Sequence, residues 1–333
     1  MSSLFSFVMK KLYGKFNLKL FPIVSYFGCY FAFAYLWLIK KKNQIILAPT
    51  SAIGDLLYPL SFLQSMDAWT KEKNKKILFY VSDRYKDIIE TFEKPNSRIE
   101  FVFLKHCGLM HLFLLMTGGC KDHPKLNSFS KNSGILMPIP NVCKSFFLHK
   151  DKPKGSRQQL SVIFGLPLSP VSLHNLPSIE INSIENFEKK KQKICILNPY
   201  SYSMYTPQPL FETLSNELKN QNYIVYTNVV HGQKEIQGTI PLECSLRELY
   251  SIAKQIPLIV SLRSGILDFL IPSGISMFVI YDKWKSDNTL DTDYTIEEWT
   301  PQGKLCEVST KSMPEEDIVR NFQKFLHDLE VAS

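Results

Sequence analysis

The chain has 333 residues and a formal net charge of +8, with 45% hydrophobic and 21% charged residues. This composition excludes a disordered or collagen-like chain, and the length predicts two domains of about 150 residues each. Residues 1–54 contain seven lysines and no acid, so residues 55–333 carry only +1, and without an RNA-binding or zinc-finger motif we expect no nucleic-acid partner.

The basic, aromatic N-terminal segment, residues 1–42, is predicted to associate with a membrane. Its uncharged stretch from Leu20 to Ile39 is long enough to cross a bilayer and has lysines on both flanks. The many aromatic rings of this stretch favour the headgroup boundary, and the lysines would attract anionic lipid. An in-plane or re-entrant anchor, a spanning helix, a signal peptide and a buried helix of the first domain stay open as interpretations.

The first predicted domain, residues 43–181, alternates short apolar runs with segments of helical spacing. The predicted strands and helices, in chain order, are Ile45–Pro49, the helix Asp55–Trp69, Ile77–Val81, the helix Arg84–Phe92, Ile99–Leu104 and the helix Leu109–Met116.

The same alternation restarts after a polar, lysine-rich segment, residues 182–193, which is typical of an interdomain linker. In the second predicted domain, residues 194–333, the strands are Ile194–Leu197, Tyr223–Tyr226, Leu258–Val260 and Ser276–Tyr281. The helices are Pro209–Leu218, Leu246–Lys254, Ile266–Ile271 and Pro314–Leu329. Because apolar strands that alternate with helices indicate a parallel sheet covered on both faces, the sequence predicts an α/β protein of two doubly wound, Rossmann-like domains. Ligands of such folds bind beyond the C-terminal ends of the strands.

The first candidate site follows the first predicted strand, where Ser51, Gly54 and Asp55 precede or open a helix. Glycine allows the backbone to approach a ligand closely, and a carboxylate at this position can accept a proton from an attacking hydroxyl. Asp55 can equally be no more than a helix cap.

The second candidate site, at Arg263, Ser264 and Gly265, follows a later strand and opens another helix. Backbone N–H groups at a helix start attract anions, and arginine adds a bidentate phosphate donor. Asp268, one turn further on, can bind Arg263, a sugar hydroxyl or solvent. An ordinary capped helix with a surface arginine is the alternative.

The third candidate site is the hydroxyl-rich loop 198–207, in which Asn198, Tyr200 and Ser203 are the candidate donor-binding residues. Such a loop can bind phosphate or sugar, or it can be a polar turn.

These three elements, in this order, resemble the ADP-heptose lipopolysaccharide heptosyltransferases and their GT-B relatives. The Ile53-Gly54-Asp55 element followed by Pro59 matches the N-terminal signature of that family. Residues 246–253, with the next strand and Ser264-Gly265, are similar to the family's donor-site region. Where the family has an acid before Ser-Gly and a histidine after it, this chain has Arg263 and Asp268. The Arg-Ser-Gly sequence is also similar to fucosyltransferase-type GT-B enzymes.

The resemblance implies a GT-B glycosyltransferase with residues 43–181 as the acceptor-side domain and residues 194–333 as the nucleotide-sugar-binding domain. It implies hexosyl or heptosyl transfer to a membrane-linked glycan, in lipopolysaccharide or capsule biosynthesis, with Asp55 as the general base. A degenerate GT-B scaffold protein of a glycan-assembly complex and a nucleotide-sugar epimerase are the alternatives.

The expected partners are a nucleotide sugar, a lipid-linked glycan acceptor and the membrane surface, and the expected location is the cytoplasmic face of the inner membrane. The donor is a substrate, so we expect no bound cofactor. The seven scattered cysteines include no C-x-x-C pair, and His106 and His111 are five residues apart, so we expect no metal site either.

Overall fold

The chain divides into two compact units, Met1–Ser169 and Pro170–Ser333. The computed structural model describes residues 34, 38, 40–41, 43–47, 53–92, 97–105, 135–136, 157, 161, 166, 179–201, 204–230, 232–282, 295–299 and 301–332. The predicted membrane segment, residues 1–42, and the predicted helix Leu109–Met116 lie outside these residues, apart from residues 34, 38 and 40–41.

The first unit is built on a parallel sheet with the strand order β3-β2-β1-β4. Its strands are β1 (Gln44–Leu47), β2 (Lys76–Ser82), β3 (Ile99–Leu104) and β4 (Ile135–Leu136). Its helices are α1 (Ile53–Leu60), α2 (Leu63–Glu72) and α3 (Lys86–Ile89), the last preceded by a 3-10 turn at Asp83–Tyr85. The side chains of the predicted apolar helix face are all buried, namely Leu56, Leu60, Leu63 and Met66.

One predicted helix of the first unit, Asp55–Trp69, is divided into α1 and α2. Pro59 lies in the last turn of α1 and has no backbone N–H to donate to the preceding turn. The Ser61 hydroxyl donates to the Tyr58 carbonyl oxygen at 2.6 Å, which satisfies an acceptor at the end of α1. The chain then turns at Phe62 and continues as α2.

The second unit contains a six-stranded parallel sheet with the order β10-β9-β8-β5-β6-β7. Its strands are β5 (Ile194–Asn198), β6 (Ile224–Asn228), β7 (Ile240–Leu242), β8 (Leu258–Leu262), β9 (Ser276–Tyr281) and β10 (Leu305–Ser309). Its helices are α4 (Phe187–Lys190), α5 (Gln208–Asn220), α6 (Leu246–Ala253), α7 (Gly265–Leu270) and α8 (Glu315–Ala332). The predicted α/β class with parallel sheets is therefore confirmed.

The central strands of this sheet are buried along their whole length, because both faces are covered. On one face, Phe211 of α5 and Phe322 of α8 belong to the same apolar cluster as Val260 and Phe278 of the sheet. The Phe278 and Phe322 rings meet edge to face, with centroids 4.8 Å apart. Fully buried strands explain why these elements read as continuous apolar runs in the sequence.

The segment predicted as a linker, residues 182–193, lies inside the second unit and is packed against it. Ile184 and Phe187 are buried. The Glu248 carboxylate on α6 accepts hydrogen bonds from the backbone N–H groups of Asn182 and Ser183, both at 2.9 Å. The boundary between the two compact units falls earlier, between Ser169 and Pro170.

Candidate donor site

The carboxyl edge of the second sheet contains a topological switch point. From β5 the chain adds β6 and β7 on one side of the sheet, and then adds β8, β9 and β10 on the other. The loops that leave β5 and β8 therefore diverge at this edge, which is where open α/β sheets bind ligands. Two of the three predicted sites follow these two strands.

Polar side chains from three neighbouring strand ends meet beneath the switch point. Asn198, at the end of β5, donates from Nδ2 to the Ser261 Oγ of β8 at 2.8 Å and to the Ser264 Oγ at 3.2 Å. Its Oδ1 accepts a hydrogen bond from the Nδ2 of Asn228, at the end of β6, at 3.0 Å. Asn198, Asn228 and Ser261 are all buried, whereas Ser264 is partly exposed.

Arg263 forms a buried ion pair with Asp268. The distance from the Arg263 Nη2 to the Asp268 Oδ1 is 2.7 Å, and the two side chains are 5% and 1% exposed. The Arg263 Nη1 also donates to the Ser264 carbonyl oxygen at 2.8 Å. Of the three interactions predicted for Asp268, the structure contains the pair with Arg263. The guanidinium is buried, and its contact with phosphate stays a prediction.

The loops after β5 and β6 are joined by Tyr200, whose hydroxyl donates to the Lys234 carbonyl oxygen. Burial is the main cause that raises the pKa of Tyr200, so the ring stays neutral and keeps its proton for this bond. The Thr206 hydroxyl donates to the Pro199 carbonyl oxygen at 2.9 Å and closes the loop after β5. Ser203 lies outside the described residues.

Sequence reasoning missed Glu307, because β10 was not predicted as a strand. The Glu307 carboxylate accepts hydrogen bonds from the Tyr281 hydroxyl, from the Thr295 Oγ1 at 2.7 Å and from the Ile296 N–H at 2.8 Å. The pKa of Tyr281 is raised, mainly because the side chain is buried, and the nearby positive charge of Arg263 offsets only part of this rise. Glu307 thus fixes the segment that re-enters the sheet before β10. The sequence signal was an acid between Cys306 and Val308.

In the first unit, Gly54 and Asp55 lie in the first turn of α1, which begins at Ile53. The predicted strand and the predicted helix are confirmed in this order, with β1 ending at Leu47, and the predicted turn between them lies outside the described residues. Ser51 lies outside the described residues, as does the Asp55 side chain.

Within the described part of the chain, no group of three or more His, Cys, Asp or Glu side chains is placed to hold a metal ion. The same residues include no helix that is both long and apolar enough to cross a membrane.

The comparisons with known proteins concern the fold. No protein-family model matches the sequence, and no curated protein matches it. Among solved structures, Escherichia coli ADP-heptose lipopolysaccharide heptosyltransferase II is similar over 87% of this chain and 99% of its own, with 12% identity and a TM-score of 0.50. This chain has the heptosyltransferase fold.

Two further solved structures are similar to this chain over nearly their whole length. Escherichia coli heptosyltransferase WaaC with ADP has 11% identity and a TM-score of 0.48, over 86% of this chain and 99% of its own. A glycosyl transferase family 9 structure from Veillonella parvula has 12% identity and a TM-score of 0.48, over 87% and 98%. The similarity to heptosyltransferase II confirms, for the fold and at low identity, the resemblance that the Ile53-Gly54-Asp55 element predicted.

Proposed function

We propose that the protein is a glycosyltransferase that moves a sugar from a nucleotide-sugar donor to a membrane-linked glycan, as in lipopolysaccharide or capsule biosynthesis. The observation that carries this proposal is the cluster of hydrogen-bonding groups at the switch point of the second sheet, in a chain with the heptosyltransferase fold. Solved relatives of this fold are named as heptosyltransferases or contain ADP, which supports a nucleoside diphosphate as the leaving group.

The two units have different tasks in this reaction. In the first unit, the Asp55 carboxylate takes the proton of the acceptor hydroxyl. The small residues Ser51 and Gly54 let the acceptor approach the backbone nearby. The acceptor oxygen then bonds to the anomeric carbon, and the bond from that carbon to the diphosphate oxygen breaks. The diphosphate leaves with the electron pair and is held in the second unit by the loops of Tyr200, Ser203 and Ser264-Gly265. The donor itself supplies the transferred sugar, so the reaction needs no bound cofactor. Hydrogen-bond donors of these loops would stabilise the charge of the leaving diphosphate in place of a metal.

A thermal-shift screen of the full-length chain against ADP, GDP, UDP and CDP tests the donor side. A nucleotide that binds only the folded state, present at 100 times its dissociation constant, should stabilise the chain by about 2.7 kcal/mol and raise its melting temperature. Adenosine without phosphates is the control, and it should shift the melting temperature less. If none of the four nucleotides shifts it, the degenerate scaffold becomes the better interpretation. A sugar that changes configuration without an acceptor would instead support the epimerase.

The proposed acceptor places the protein at the cytoplasmic face of the inner membrane, and the basic, aromatic residues 1–42 motivate a second prediction. The full-length chain should sediment with membranes at both low and high salt, because burial of apolar side chains is not screened as lysine–lipid attraction is. Deleting residues 1–42 should leave a folded chain that stays in the supernatant. A full-length chain that is wholly soluble at low salt would contradict the membrane role of this segment.

A further inference from the structure

Asn198 is only 1% exposed, so its side chain lies under the sheet edge and does not face a ligand directly. Every hydrogen of its amide group is used inside the protein. The two Nδ2 hydrogens go to Ser261 and Ser264, and Oδ1 accepts from Asn228. Any contribution of Asn198 to binding must therefore act through another residue.

The direction of this hydrogen-bond chain is fixed by the backbone. The Ser261 Oγ lies 2.6 Å from the Leu262 carbonyl oxygen and 3.2 Å from the Asn198 carbonyl oxygen, and both can only accept. The Ser261 hydroxyl proton is thus committed to a carbonyl, and its oxygen must accept from Asn198. The NH₂ side of the Asn198 amide consequently faces both serines, and its oxygen faces Asn228.

It follows that the Ser264 hydroxyl also accepts from Asn198, which leaves its own proton available for another acceptor. Ser264 stands at the N-cap position of α7, yet its side chain makes no capping hydrogen bond there. Within the described residues, its hydroxyl proton has no acceptor. Its carbonyl oxygen is held by Arg263 at 2.8 Å, so backbone and side chain are both fixed. The result is a partly exposed, oriented hydroxyl donor at the switch point.

We propose that Asn198 is a positioning residue, held in turn by Asn228, which turns the Ser264 hydroxyl into an obligate hydrogen-bond donor for a phosphate oxygen of the nucleoside diphosphate. This inference rests on the proposed function, because it takes the nucleotide of that function as the ligand. It assigns Asn198 a role through Ser264 in place of the direct donor contact that the sequence predicted.

A double-mutant cycle on the full-length chain tests this role, with the dissociation constant for ADP and the melting temperature measured for each variant. Asn198→Asp is nearly isosteric, but its carboxylate accepts from the Ser264 hydroxyl and so removes the donor. Loss of one hydrogen bond to a charged group should weaken ADP binding roughly tenfold to hundredfold, and Ser264→Ala should do the same. Ser264→Thr keeps a hydroxyl and should bind ADP nearly as the parent does.

The two explanations of an Asn198→Asp effect differ in the Ser264→Ala background. Repulsion between the new carboxylate and phosphate acts in both backgrounds, whereas the lost donor acts only where the Ser264 hydroxyl is present. The factor by which Asn198→Asp weakens ADP binding should therefore be smaller by roughly tenfold or more when Ser264→Ala is already in place. If Asn198→Asp weakens ADP binding by the same factor in both backgrounds, the inference is overturned and the proposed function stands.

Two further variants guard against a purely structural explanation. Thr227→Val removes another buried hydroxyl of the same sheet, at the residue before Asn228. The Thr227 hydroxyl forms a hydrogen bond with the Thr239 Oγ1 at 2.6 Å. This substitution should lower the melting temperature and leave ADP affinity unchanged. If Asn198→Asp does not fold, Asn228→Ala gives the same cycle with a smaller loss of ADP affinity, since it removes the donor to the Asn198 Oδ1 and so weakens the hold on the Asn198 amide. A parent chain that binds none of ADP, GDP, UDP and CDP would overturn the donor side of the proposed function and this inference with it.

Discussion

Replacing Arg263 by alanine should lower the free energy of unfolding by about 3–5 kcal/mol, the cost of leaving one partner of a buried ion pair without the other. The two side chains are 5% and 1% exposed, so the Asp268 carboxylate would lose its guanidinium partner in a buried environment with little access to water. The Ser264 carbonyl oxygen would lose one of its two donors and keep the Leu267 backbone N–H, at 3.1 Å. The measurement is the urea unfolding midpoint of the full-length chain, followed by circular dichroism.

An exposed pair on α8 provides the matched control. Arg320 and Asp317 also form an ion pair, but their side chains are 75% and 39% exposed. Arg320→Ala should therefore change the free energy of unfolding by no more than about 1 kcal/mol. Similar losses for Arg263→Ala and Arg320→Ala would contradict the buried environment of the Arg263–Asp268 pair.

The double replacement Arg263→Met with Asp268→Leu separates the net contribution of the ion pair to stability from the cost of removing only one of its partners. Replacing both buried ions by apolar side chains of similar volume is often neutral for stability, or stabilising. We expect the double variant to be markedly more stable than Arg263→Ala. If the pair serves only packing, this variant should still bind ADP, and a loss of ADP binding in a folded double variant would support the predicted phosphate contact of Arg263.

Most of the second sheet was predictable from the sequence, because its central strands are buried on both faces. Three of its strands appear in the sequence as apolar runs without helical periodicity, namely Ile194–Asn198, Leu258–Leu262 and Ser276–Tyr281. The strands at the two edges were missed for physical reasons. β7 has three residues, two of them exposed, and β10 carries Glu307 in its centre, so neither has the apolar continuity of a buried strand.

Part of the candidate donor site was named from the sequence, namely Asn198, Arg263, Ser264 and Asp268, but Asn228, Ser261 and the connections between these residues were not. Asn198 and Ser264 are 66 residues apart, and their hydrogen bond exists only because β8 pairs with β5 on the side opposite β6. That strand order is a property of the whole sheet and leaves no local signal. The pairing of Arg263 with Asp268 was one of three open possibilities, and burial of both side chains favours it because a buried charge requires a partner.

Asp55 carries the remaining prediction, which concerns the chemical step. α1 begins at Ile53, so Asp55 is in the first turn of the helix and not at the residue that precedes it. A carboxylate in the first turn stabilises a helix by about 0.3–1 kcal/mol through the helix dipole. A general base typically contributes about 10²–10⁴-fold to the rate. The structural and the catalytic role of Asp55 therefore predict effects of very different size.

The Asp55→Asn variant distinguishes these roles, since the amide keeps the size of the side chain and removes its ability to take a proton. If Asp55 is the general base, transfer should fall by about 10²–10⁴-fold, measured as nucleoside diphosphate released in the presence of membranes that supply the acceptor. Affinity for ADP should stay at the parent value, because the proposed donor site lies in the second unit and Asp55 in the first. The melting temperature should fall only slightly, as expected from the loss of a first-turn charge.

Glu316→Gln is the control for the helix effect, because Glu316 is an exposed acid in the first turn of α8, and neutralising it removes the same kind of favourable dipole interaction. It should lower the melting temperature about as much as Asp55→Asn and leave transfer unchanged. Near-parental transfer by Asp55→Asn, with both variants folded, would mean that Asp55 only stabilises the start of α1. The acceptor proton would then have to leave by another group, and the resemblance of the Ile53-Gly54-Asp55 element to the heptosyltransferase signature would describe the fold without the chemistry.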